Sequence, residues 1–287
     1  MFPFLAELEK ELKRKVLNYL GRTAGKECLL GVTVIGKTIA IANQKGGVAK
    51  TTTAVNLGAW LSLMGKKVLL VDTDSQGNAT TGVGVDKNSL EKCLYDAIIE
   101  GVPLREIIVQ SAVENLDLVP ATIELAGAEI ELVGVPEREK ILKAALSGVK
   151  DDYEYILIDC PPSLGLMTIN ALAAADSLLI PIQCEFYALE GLSQLLNTFK
   201  MVQQRLNSSL VLEGVLLTMF DGRTNLSIQV VEEVKKHFRD KVFKAIIPRN
   251  VRLSEAPSYG KPVMVYDRRS RGAEVYRELA KEVMGIE

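Results

Sequence analysis

The chain has 287 residues, 48% hydrophobic and 24% charged, which suits one large α/β domain. A formal net charge of −2 excludes a global field that would draw the whole protein onto nucleic acid, and no uncharged apolar stretch approaches the ~20 residues that span a bilayer. Four cysteines (Cys28, Cys93, Cys160, Cys184) without a C-x-x-C pair provide neither a disulfide framework nor a zinc or iron–sulfur signature, and they fit a reducing cytosol.

Residues 1–36 stand apart from the rest of the chain. Leu5, Leu8, Leu12, Val16, Tyr19 and Leu20 fall at helical spacing with charges between them, so the segment reads as an amphipathic helix ending near Gly21. Three roles stay open for it: a partner-binding helix, a membrane-surface helix, or an upstream start that the cell does not use. Its mixed charge makes membrane binding the weakest, because such helices are rich in Lys and Arg on their polar face. The interruptions at Glu7, Glu9, Lys10 and Glu11 exclude a signal peptide.

From Lys37 to the end, apolar runs alternate with helical patterns. Strands are expected over 39–42, 68–71, 116–119, 155–158, 178–182, 211–219 and 242–247. Helices are expected over 52–64, 89–100, 123–133, 137–149, 166–175, 189–206, 227–238 and 272–283. Continuous rather than alternating hydrophobicity marks strands covered on both faces, so the fold class is α/β: one doubly wound, mostly parallel sheet flanked by helices over 37–287. Ligands then belong at the carboxyl ends of the strands.

Three of those ends carry chemistry. After the first strand, Asn43-Gln-Lys45-Gly46-Gly47-Val48-Ala49-Lys50-Thr51-Thr52 opens into a helix. Backbone N–H groups from Gly46 to Thr52 can converge on phosphate oxygens, with Lys50 as a point charge and the Thr51 hydroxyl completing a Mg2+ shell. After the second strand come Asp72 and Asp74, which alternate in direction and so cannot do the same job. After the strand at 155–158 comes Asp159-Cys160-Pro161-Pro162, an acid fit to hold magnesium through a water, with two prolines fixing its exit from the sheet. Cys160 reads as a small buried residue, since the lone His237 is expected on an exposed helix face and nothing else would activate a thiol.

The strict pattern G-x-x-x-x-G-K-[ST] fails here, because its glycines fall on Gln44 and Ala49. Lys45-Gly-Gly-x-x-Lys50-Thr-Thr instead resembles the deviant Walker A motif of the ParA/MinD class of P-loop ATPases. Asp72-Thr-Asp74-Ser75-Gln-Gly resembles the Walker A-prime segment of that class, and the 155–165 run its Walker B strand. Pro181-Ile-Gln183-Cys-Glu-Phe-Tyr187-Ala-Leu-Glu-Gly191 and Pro248-Arg249-Asn250-Val-Arg252 resemble Soj-type chromosomal ParA proteins, so the likeness covers Lys37 onward. Relatives commonly carry Gly at Ala49 and Pro at Ser75, which here puts a Cβ near the phosphates and predicts a looser turn.

The resemblance implies an ATP- and Mg2+-dependent hydrolase, slow and stimulated by partner and DNA. It implies a homodimer on ATP, non-specific binding to double-stranded DNA, a ParB-type centromere-binding partner and a place in the cytoplasm on the nucleoid. By the same resemblance Lys45 reaches the nucleotide of the other subunit. Asp74 orients the attacking water and contacts the metal through water, Pro248 and Asn250 belong to the nucleotide set, and Arg223 and Arg252 contact DNA. The runner-up is a MinD-like membrane-associated positioning ATPase, but the acidic carboxyl-terminal helix suits a docked cover better than an anchor. One charge feature supports DNA: residues 235–271 hold eleven Lys or Arg against Asp240, Glu255 and Asp267, a balance of +8.

Overall fold

The computed structural model describes residues 36–185 and 192–286. The expected helix within 1–36 and the 186–191 part of the Soj-like motif lie outside the described residues. Strand β1 (Lys37–Ile41) leads into helix α1 (Lys50–Leu63), followed by β2 (Val68–Asp72), α2 (Asn78–Gly82), α3 (Leu94–Ile99), β3 (Val109–Gln110) and β4 (Leu116–Val119). Next come α4 (Leu125–Glu131), α5 (Ile141–Ser147), β5 (Tyr155–Asp159), α6 (Leu166–Ala174), β6 (Ser177–Gln183) and α7 (Leu192–Arg205). The chain closes through β7 (Val211–Phe220), α8 (Asn225–Phe238), β8 (Val242–Pro248), α9 (Val251–Glu255), α10 (Val263–Tyr266) and α11 (Arg271–Met284).

The strands form one sheet in the order β3-β4-β2-β5-β1-β6-β7-β8. All pairings are parallel except β3 with β4. Successive side chains point to opposite faces, so each apolar strand feeds two cores. Ala40, Leu69, Val71, Ile156, Ile158 and Ile180 pack under α3 to α8, where Leu94, Leu142, Leu195 and Phe199 meet them. Ile39, Ile41, Leu70, Leu157 and Leu179 pack on the other face against Leu57 and Trp60 of α1 and Tyr276 and Leu279 of α11. The apolar face of α11 is thereby consumed: Ala273, Val275, Tyr276, Leu279, Ala280 and Val283 are buried, as a docked cover helix requires.

Three expectations change. The helix expected from residue 89 starts at Leu94, because the Cys93 N–H donates to the Asp96 carboxylate at 2.7 Å and fixes the first turn there. The 137–149 pattern splits into a 3-10 turn, Arg138–Lys140, and α5. His237 is buried rather than exposed, since it lies three residues after Val234 on the stripe that α8 turns inward. Its Nδ1 lies 2.7 Å from the Glu233 carbonyl. The two-residue β3 is too short to show any period.

Candidate nucleotide-binding site

The loop after β1 is shaped by its own hydrogen bonds. Asn43 is buried; its amide donates to the Pro181 carbonyl at 2.7 Å and its oxygen accepts from Lys45 N–H at 3.0 Å. Thr218 of β7 donates to the Val48 carbonyl at 3.1 Å, so two neighbouring strands pin the loop. Gly47 has φ +71°, a left-handed conformation, and a Cβ built on it would meet nothing within 4 Å, so the bend is open to a ligand. No side chain caps α1, whose first N–H groups therefore face the same opening. Lys50 is buried and its ammonium donates to the Lys45 carbonyl at 3.0 Å. Burial lowers its pKa, opposed by the nearby Asp159, Cys160 and Asp74.

Ala49 stands at φ +70°, a conformation that a Cβ disfavours. Replacing Ala49 by Gly is expected to stabilise the protein by about 1 kcal/mol, read as a higher urea midpoint at unchanged m-value. A lower midpoint would show that the loop needs the methyl group.

Asp72 and Asp159 are register partners on β2 and β5, and both are fully buried. Their surroundings differ. Asp72 accepts from Thr80 N–H and Thr80 Oγ1, each at 2.8 Å, and from Asp74 N–H at 3.2 Å; burial, outweighing these bonds, pushes its pKa up to about 6. Asp72 is thus the anchor of the loop that carries Asp74, which answers why the two acids alternate. Asp74 is half-buried, and its carboxylate accepts from Gln76 N–H at 3.0 Å while its carbonyl accepts from Gly77 N–H at 2.9 Å. Those bonds close the turn with Ser75 in place of proline.

Both carboxylate oxygens of Asp159 are buried without a hydrogen-bond partner. Burial, then the charge of Asp72, holds its pKa well above the usual carboxylate range, with Thr51 and Lys50 pulling it back. An orphaned buried carboxylate is costly unless something positive completes it. Together with the Thr51 hydroxyl it offers the hard oxygen donors that magnesium prefers, so these residues fit that ion. Cys160 is buried, and burial pushes its thiol far up, which leaves it inert as a nucleophile.

The order β2-β5-β1 brings Asp74, Asp159 and the 45–52 loop to adjacent strand ends. Pro248 ends β8 and Asn250 follows it, three strands from β1, about 14 Å at ~4.8 Å per strand. Asn250 there caps α9, accepting from Arg252 N–H at 2.9 Å. The chain then returns: Ala256, Pro257, Ser258 and Lys261 line a cavity of about 430 Å³ with Thr51, Thr52, Asn56 and Asn78. Asn56 secures it, accepting from Val263 N–H and donating to the Thr52 carbonyl, both at 2.7 Å. Nothing in the sequence marked Asn56, Thr218 or Thr80, whose bonds to Val263, Val48 and Ala121 join segments far apart along the chain.

Arg223 follows β7 and Arg252 follows β8, on neighbouring strand ends. Arg223 is bidentate to Asp221, at 2.9 and 2.7 Å. Arg252 pairs with Glu255 at 2.8 Å and with Asp267 at 3.3 Å. Folding trims the balance of +8 without cancelling it, because Glu185 pairs with Arg249, Glu274 with Arg271 and Glu233 with Lys236 from outside that window.

A strand–glycine loop–helix cradle with a buried lysine and two acids on the adjacent strands defines a P-loop nucleotide-binding protein. The AAA domain family model matches residues 36–212. The sporulation initiation inhibitor protein Soj of Bacillus subtilis is 67% identical over 249 residues, 87% of this chain and 98% of that protein. Among solved structures, cobyrinic acid a,c-diamide synthase from Mycobacterium smegmatis, with bound ADP and magnesium, is 39% identical with a TM-score of 0.77, covering 87% of this chain and 94% of that one. The septum site-determining protein MinD from Pyrococcus horikoshii, complexed with Mg-ADP, is 28% identical with a TM-score of 0.73, over 86% and 96%. The chain belongs to the Soj/ParA family of chromosome-partitioning ATPases.

Proposed function

We propose that this protein is a magnesium-dependent ATP hydrolase that dimerises on ATP and binds double-stranded DNA without sequence preference. With a ParB-type centromere-binding partner it drives chromosome or plasmid segregation, working in the cytoplasm on the nucleoid. The observation that carries the reading is the unpaired, buried Asp159 carboxylate beside Lys50 and the open glycine loop. Residues Gly46 to Thr52 bind the phosphates, and Lys50 places a charge on the terminal ones. Lys45 reaches the partner's nucleotide, and Pro248 and Asn250 belong to the set that binds the chain's own nucleotide. Asp74 orients the attacking water and accepts its proton at a carboxylate oxygen. Bound magnesium supplies charge neutralisation at the phosphate oxygens.

Hydrolysis is slow alone and rises with DNA and partner. Size-exclusion chromatography with and without ATP, combined with phosphate release in the presence of DNA, tests this: a monomer whatever the nucleotide, or no ATP turnover, overturns it. Residues 1–36 are a dispensable extension in this reading. The chain is anchored from Lys37 on, whose N–H donates to the Glu154 carbonyl at 2.9 Å and whose ammonium meets Glu213 at 2.6 Å. A protein starting at Ile35 is therefore expected to melt within a few degrees of the full chain and to hydrolyse ATP at the same rate. A large fall in melting temperature would place the Leu5 to Leu20 face in the core.

A further inference from the structure

A side-chain hydroxyl carries one proton and two lone pairs, so it can join a donor to an acceptor at a single point. Thr80, in α2, is fully buried and does this between two strand ends. Its Oγ1 donates to Asp72 Oδ2 at 2.8 Å and accepts from Ala121 N–H at 3.0 Å. The partners fix that direction, because the amide can only donate and an ionised carboxylate can only accept. Asp72 ends β2, and Ala121 lies two residues beyond β4, the strand paired with β2.

The same two residues hold the loop that carries Asp74. Asp72 uses its other oxygen, Oδ1, to accept from Asp74 N–H at 3.2 Å. The Ala121 carbonyl stands 2.6 Å from where a Cβ on Gly77 would be, an approach that only glycine permits, and Gly77 there has φ +61°. Gly77 N–H in turn donates to the Asp74 carbonyl at 2.9 Å. Asp74 is thus set from two sides, by a carboxylate on β2 and by the chain leaving β4. The Thr80 hydroxyl is the bond that ties those two sides together.

The phosphate cradle is held by other bonds. Asn43 reaches the Pro181 carbonyl and Lys45 N–H, and Thr218 reaches the Val48 carbonyl. Loss of the Thr80 hydroxyl therefore frees Asp72 to turn and Asp74 to shift, while residues 45–52 keep their shape. For a group that orients a reacting water, a shift of about 1 Å costs on the order of 10²-fold in rate.

We infer that Thr80 is a positioning residue for hydrolysis: its hydroxyl, bridging Asp72 and Ala121, fixes the backbone from which Asp74 addresses the attacking water. The inference rests on the reading of Asp74 as the water-orienting acid and assigns the residue that aims it. The bridge demands a side chain that both donates and accepts over a short reach. Threonine and serine do so, and valine, of nearly the same shape, does neither.

The test compares Thr80→Val and Thr80→Ser with the parent, as full chains with Mg-ATP. Thr80→Val is expected to bind ATP within about threefold of the parent's affinity and to lower kcat by on the order of 10- to 10²-fold at unchanged KM. Thr80→Ser keeps the bridge and should hold kcat within about threefold of the parent. A cycle separates aiming from a merely structural role: in an Asp74→Ala background Thr80→Val should lower the residual turnover no further, since nothing is left to aim. If Thr80→Val does not fold, Thr80→Cys, whose thiol donates and accepts only weakly, takes its place with the same expected fall in kcat. Parent-like kcat in Thr80→Val, or in Thr80→Cys where that stands in, overturns the inference. So do an equal fall in Thr80→Ser, a raised KM at unchanged kcat, or losses that multiply in the double variant. Parent-like turnover in Asp74→Ala alone would instead sink the reading of Asp74, and the inference with it.

Discussion

Replacing Lys50 by alanine is expected to abolish nucleotide binding, weakening it by on the order of 10²-fold or more, because the cradle loses its one buried cation while the phosphates keep their charge. The loss should appear as no ATP-induced rise in melting temperature. Asp74→Ala should behave oppositely. Asp74 holds its own turn through Gln76 N–H, but Asp72 and Thr80 anchor the rest of that loop, so the cradle survives. ATP should still bind and the dimer persist, while turnover falls about 10²- to 10⁴-fold with the loss of a positioned proton acceptor. Lys45→Ala should bind ATP and remain a monomer, since in the proposed dimer its side chain serves the other subunit. Three variants with three different combinations of binding, dimer and turnover separate the roles. Turnover in Asp74→Ala at the parent's rate would remove that residue from the mechanism.

How much of the fold and the site was legible depends on where each signal is stored. The strands could be read because burial on both faces makes them continuous apolar runs, and seven of the eight begin and end within two residues of the expected bounds, while β3 went unseen. Local chemistry could be read too: Gly46, Gly47 and Lys50 sit within five residues of one another, and Asp159 is followed closely by two prolines. The hidden features depend on contacts between distant residues. The Asp72–Thr80–Ala121 chain, the Thr218 tether and the burial of His237 all need the sheet order, and no sequence window contains it. The full charge environment of the basic stretch was hidden for the same reason, since Glu185 and Glu274 enter its neighbourhood only through folding.

Arg223→Ala with Arg252→Ala is expected to strip the ATP dimer of most of its DNA affinity while leaving nucleotide binding intact. Arg223, in the turn after β7, and Arg252, in the short helix α9 after β8, are exposed beyond adjacent strand ends, separated from the β1 end by β6 and by β6 and β7 respectively. Each is held by carboxylates in the free protein, Asp221 for Arg223 and Glu255 with Asp267 for Arg252. Exposed pairs of this kind are weak and screened, so a phosphate can displace or share them at little cost, and until then they keep the planar forks extended. One subunit then offers few phosphate-binding groups on an acidic body of net charge −2, and the dimer doubles them. Because affinity is exponential in the sum, doubling works as a switch. The measurement is affinity against salt concentration, with ATP in an Asp74→Ala background that holds the dimer. Removing one arginine–phosphate pairing lowers the log–log slope by about 0.9, so replacing Arg252 in both subunits lowers it by about 1.8 and replacing Arg223 as well by about 3.6. The fall should be the same on any DNA sequence, as binding confined to phosphates demands. An unchanged slope in the double variant would move the DNA surface to other residues, and a slope that fell on one sequence only would mean that bases are read directly.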